Sequence, residues 1–93
     1  MMKKAVKLTL TGAMQGIFFK NFMKENAQKF NVTGFVRKLE DGRMEIFIEG
    51  DREKVDAMSS ICKEGPPHSQ IRNVEEKEEK FQGVFSEFKV FSF

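Results

Sequence analysis

The sequence predicts an α+β fold in which two helices cover one face of a mainly antiparallel sheet. Three observations predict it: a period-two apolar run near the N-terminus, two segments with apolar residues on a helical period, and an Asp-Gly pair between strand-like runs. Val6, Leu8 and Leu10 alternate with Lys7, Thr9 and Thr11, giving a strand with one buried face that ends at Gly12. Phe19, Phe22, Met23, Asn26, Ala27 and Phe30 fall on a 3.6-residue repeat and predict a helix over residues 19–30. Val32 to Leu39 and Arg43 to Glu49 then read as neighbouring strands. The Asp41-Gly42 pair between them predicts a hairpin in which both residues take positive φ. Asp51 reads as the N-cap of a second helix over 52–63, with Val55, Met58 and Cys62 on one face. Gly65-Pro66-Pro67 ends that helix, since neither proline can continue it. Two more strands, 71–80 and 85–93, flank Gln82-Gly83, and the charged run Glu75 to Lys80 reads as a solvated face that protects a strand from aggregation.

This order, β-α-β-β-α-β with an additional C-terminal strand, is that of the ferredoxin-like sandwich, which hosts many unrelated functions. Ninety-three residues, 40% hydrophobic and 32% charged, suit a single domain over residues 1–93. Eleven Phe without Trp or Tyr mean that aromatic burial brings no phenol or indole to satisfy. The net charge of +2 is far below what nucleic-acid or anionic-membrane binding would lead one to expect. Its distribution is uneven: residues 1–50 carry nine basic and five acidic side chains, residues 51–93 seven and nine, so an anion site is expected in the first half. The lone Cys62 allows neither an internal disulfide nor a thiolate metal site. With no signal-peptide pattern and no long apolar run, the expectation is a cytoplasmic protein, and it is read as a monomer.

The chemistry-bearing stretch is Gly12-Ala13-Met14-Gln15-Gly16-Ile17-Phe18-Phe19-Lys20, between the first strand and the first helix. A glycine-bearing strand-to-helix turn can aim successive backbone N–H groups into one concavity, where the helix dipole adds positive potential. The stretch lacks the Gly-Lys-Ser/Thr of a nucleotide-binding P-loop and has no G-x-G-x-x-G. His68, in the turn after the second helix, reads as an exposed loop imidazole, and Cys62 as a small buried apolar group. Phe35 and Phe47 lack the basic-Gly-aromatic context of an RNA-recognition sheet and read as packing residues.

Gly12, Gln15, Gly16 and Phe19, followed by Gly34-Phe35-Val36, Asp41-Gly42, Glu45 and Glu49-Gly50, resemble in type and spacing the two motifs of the acylphosphatase family. Gly65-Pro66-Pro67 resembles it too, so the similarity covers nearly the whole chain. The resemblance implies hydrolysis of the carboxyl-phosphate bond of acyl phosphates without metal or cofactor. It implies that the loop Gly12, Ala13, Met14, Gln15, Gly16, Ile17, Phe18 and Phe19 holds the phosphoryl group, with an Arg at position 20 and an Asn at position 38 that orients water. This chain carries Lys20 and Lys38 there. Lysine keeps the charge but loses the planar fork that grips two phosphate oxygens, and a protonated lysine cannot accept a hydrogen bond from water as an asparagine carbonyl can. Two ammonium groups converging on the loop would repel each other until an anion sits between them. The expectation is a phosphate- or anion-binding domain of weak or no activity, the alternative a working enzyme that uses Lys20. A nucleic-acid module is the remote third reading.

Overall fold

A computed structural model describes residues 2–91. Its elements are β1 (Lys3–Ala13), α1 (Gly16–Phe30), β2 (Thr33–Lys38), β3 (Met44–Asp51), α2 (Arg52–Glu64), β4 (Gln70–Glu79) and β5 (Phe88–Val90). They form one five-stranded sheet in the order β4-β1-β3-β2-β5, antiparallel except where β5 joins β2 in parallel. The alternation in β1 puts Val6, Leu8 and Leu10 under the helices. There they pack with Ile46 and Ile48 of β3, Val36 of β2, Phe19, Met23 and Ala27 of α1, and Val55, Met58 and Cys62 of α2. The ferredoxin-like α+β sandwich expected from the sequence is therefore the fold found.

Local differences from the expectation have physical causes. Helix α1 begins at Gly16 rather than at 19, because Ile17 and Phe18 in its first turn are exposed and leave no periodic apolar mark. Its end is fully capped: Asn31 adopts the left-handed conformation, and the amides of Asn31 and Val32 donate back to Gln28 O and Ala27 O. In the hairpin only Gly42 takes positive φ (90°). Leu39 N donates to Arg43 O and Gly42 N to Leu39 O, so the loop has three residues, Glu40-Asp41-Gly42, the last of them the positive-φ glycine, rather than two. The Asp41 carboxylate braces it by accepting from the Arg43 amide and guanidinium, which hold that carboxyl below its usual range. Asp51 precedes α2 but makes no side-chain capping bond. It pairs instead with Lys3 Nζ at 2.8 Å, which lowers its pKa.

The expected strand 85–93 is shorter because residues 80–87 must first cross the sheet from the β4 edge to the β5 edge. They cross the face opposite the helices, where Phe85 packs on Phe35 and Phe47 with ring centroids 5.7 and 6.0 Å apart. The fully buried Glu49 fixes the path: its two carboxylate oxygens accept from Gln82 N at 2.9 Å and Gly83 N at 3.0 Å. Residues 92 and 93, the end of that expected strand, lie outside the described residues.

Replacing Glu49 by Gln turns one acceptor into a donor facing a donor. Urea unfolding followed by circular dichroism is expected to show a loss of about 2 kcal/mol; an unchanged midpoint would mean that the clasp adds nothing.

Candidate anion site at the start of helix α1

Gly12 and Ala13 belong to β1 and pair with Ile71 and Gln70 of β4, across a register shift between Thr11 and Gly12. A Cβ on Gly12 would meet Gln70 O at 2.0 Å, so this glycine is required by the close approach of the β4 backbone. Gly16 is different. A Cβ there would meet nothing within 4 Å, so packing within the protein gives no reason for a glycine that weakens a helix. What its bareness provides is open access to backbone.

Backbone donors stand at that place. Gln15 precedes α1 in extended conformation, with no side-chain cap and no acidic residue in the first turn. The first intrahelical bond is Phe19 N to Gln15 O at 2.8 Å, which engages the Phe19 amide, while the Phe19 ring is core. The amides of Gln15, Gly16, Ile17 and Phe18 have no acceptor among the described residues. Four donors at the positive end of a 15-residue helix suit an anion.

The fold brings both candidate lysines to this end of the sheet. Strand register aligns Lys38 with Met44 and, beyond it, Leu10, three residues before the end of β1 at Ala13. Lys38 is exposed, and its ammonium makes no hydrogen bond or ion pair among the described residues. Lys20 is partly buried, and its Nζ donates to Phe91 O at 2.6 Å, just beyond β5. That partner was invisible in the sequence, because a backbone carbonyl 71 residues away carries no residue-type signal. No bond joins the two lysines among the described residues.

A cavity of about 470 Å³ opens on the other flank of α1, against the turn after α2. Gln15 and Phe18 belong both to its lining and to the run of unengaged amides. His68 lines it as well, exposed and with φ of 71°. Cys62 is fully buried with its Sγ 3.5 Å from Met23 Sδ, and burial pushes its thiol up to about 12. Among the described residues no group of three or more His, Cys, Asp or Glu is placed to hold a metal ion, and no helix among them is long and apolar enough to cross a membrane.

The family model for acylphosphatase matches residues 6–90. An acylphosphatase of Rubrobacter xylanophilus is 40% identical over 87 residues, covering 94% of this chain and 79% of the relative. One of Methylococcus capsulatus is 37% identical over 94% of this chain and 95% of its own. Among solved structures, an acylphosphatase from Coxiella burnetii superposes with a TM-score of 0.86 at 28% identity, over 96% of this chain and 93% of that one.

Two outcomes are expected from this geometry. Gly16→Ala should raise stability by about 0.5 kcal/mol, since it narrows the unfolded ensemble without a clash, whereas Gly12→Ala should cost about 3 kcal/mol or more. Urea titration of both variants checks the contrast. Cys62 should resist alkylation in the folded protein at pH 8. Because burial raises its folded pKa above the 9.0 of a free thiol, the unfolded chain sheds the proton first, and stability should fall as pH rises from 9 towards 12.

Proposed function

The chain belongs to the acylphosphatase family, and from that premise we propose that the Gln15–Phe18 amides bind the phosphoryl group of an acyl phosphate. We propose further that Lys20 and Lys38 make hydrolysis slow compared with an Arg and an Asn at the same positions. In the reaction, water attacks phosphorus, the carboxyl-phosphate bond breaks, and the carboxylate leaves with the electron pair. Fixed donors on the phosphoryl oxygens stabilise the charge of the transition state.

The observation that carries the reading is the contrast at the start of α1: four backbone donors stand without a protein acceptor, while the Lys20 ammonium is already bonded to Phe91 O. Lys20 supplies a point charge from that anchor, without the bidentate grip that would fix two oxygens in line. Lys38, exposed and able only to donate when protonated, does not present the acceptor that would orient the attacking water. Binding is kept and positioning is lost. The single buried thiol accords with a reducing cytoplasmic setting, and nothing in the reading needs a second subunit.

A second reading is supported by the same anchor. Lys20 is partly buried and held in place, so it could serve as the phosphate cation of a working enzyme in which the substrate's own oxygens manage the water.

Benzoyl phosphate hydrolysis separates the two. The double variant Lys20→Arg, Lys38→Asn is expected to exceed the natural protein in kcat/KM by about 100-fold. Equal and high activity in both, abolished by Lys20→Ala, would instead establish the second reading.

A further inference from the structure

We propose that the cavity beside the Gln15–Phe18 amides is the acyl subsite, and that it takes an uncharged, apolar, preferably aromatic acyl group. The inference rests on the reading that those amides hold the phosphoryl group. Its volume, about 470 Å³, lies within the range of small-molecule pockets.

Continuity of the two features is the first argument. Gln15 and Phe18 line the cavity and also bound the amide run. A phosphoryl group seated on the amides would direct the acyl carbon, joined to phosphorus through the bridging oxygen, towards the cavity mouth.

Wall chemistry is the second. Phe18 is 66% exposed although it is a large apolar side chain at the start of a helix, and the core gives it no packing role. It faces the cavity together with Phe22, Pro66 and Pro67. An aromatic acyl group would cover this apolar surface and find offset ring contacts on the two Phe. The proline wall is already rigid. Pro66 O accepts from Ser69 Oγ at 2.6 Å and from Ser69 N at 3.2 Å, closing the turn, so little ordering opposes binding.

Charge is the third. No Lys or Arg lines the cavity; its titratable groups are Glu25 and the imidazole of His68. Above the imidazole range of pH, an acyl group bearing a second carboxylate would find no permanent cation to pair with and the Glu25 carboxylate to oppose it, whereas an uncharged ring meets neither obstacle.

The test titrates the full chain with inorganic phosphate, methylphosphonate, benzylphosphonate and 2-carboxyethylphosphonate, following amide shifts by NMR. Benzylphosphonate is expected to bind about tenfold tighter than methylphosphonate, equivalent to about 1.4 kcal/mol, and the carboxylated compound no tighter than methylphosphonate. Asn21→Trp, which projects a ring into the cavity from the exposed side of α1, and Pro67→Gly, which removes a wall, should each cut that preference to about twofold or less. Equal binding of the methyl and benzyl compounds by the natural protein, with phosphate still bound, would overturn the subsite alone. Failure to bind any of the four would overturn the anion reading and the subsite with it. Shifts at the cavity residues that follow protein concentration rather than ligand would show that a second copy covers the cavity, and would also overturn the proposal.

Discussion

A buried carboxylate that accepts two backbone amides governs the route of residues 80–91. Glu49 lies on β3 facing away from the helices, and it is fully buried only because Gln82 and Gly83 cross above it with their amides turned inward. A carboxylate removed from water without partners costs several kcal/mol, so paths that leave Glu49 unpaired are disfavoured for reasons unrelated to local propensity. The clasp fixes where the crossing runs, and Phe85 then settles on Phe35 and Phe47. From there the chain reaches the far edge of the sheet, where β5 pairs with β2 and the Phe91 carbonyl meets the Lys20 ammonium. An acidic residue on the exposed-looking face of a central strand thus helps decide where a cation near the candidate site is tethered.

Helix α1 is built asymmetrically. Its last turn is closed by the left-handed Asn31, with two returning amide bonds. Its first turn has no side-chain cap and no acidic residue, and a lysine, Lys20, follows directly after it, near the end where a cation is electrostatically least welcome. Stability alone would favour the opposite choices at the start. One face of the helix buries Phe19, Met23 and Ala27, one flank sends Lys20 towards β5, and the other flank borders the apolar cavity. The same element serves as core, as donor array and as wall.

Much of this was legible in the residues. The alternation of Val6, Leu8 and Leu10, the stripe from Phe19 to Phe30 and the Gly65-Pro66-Pro67 stop each report a local periodicity or a backbone restriction, and these need no tertiary context. Helix α1 starts three residues before its periodic stripe because Ile17 and Phe18 point outward, and an exposed apolar residue breaks the pattern from which helices are read. Asp51 has the right type and position for an N-cap, yet the Lys3 ammonium from β1 takes its carboxylate. That competition arises only once two strands far apart in sequence lie side by side.

The sequence by itself determined the order of elements, the inward faces of strands and helices, and the presence of lysines at positions 20 and 38, because these follow from residue type and short-range geometry. Only the tertiary structure decided which glycine is needed by the fold and which leaves backbone open, since that depends on whether another strand passes within van der Waals reach. It also decided that Lys20 is bonded to a carbonyl, that Lys38 stands in solvent, and that an apolar cavity adjoins the unengaged amides. Carbonyls and cavities have no letter in a sequence; they exist where separate segments of chain meet.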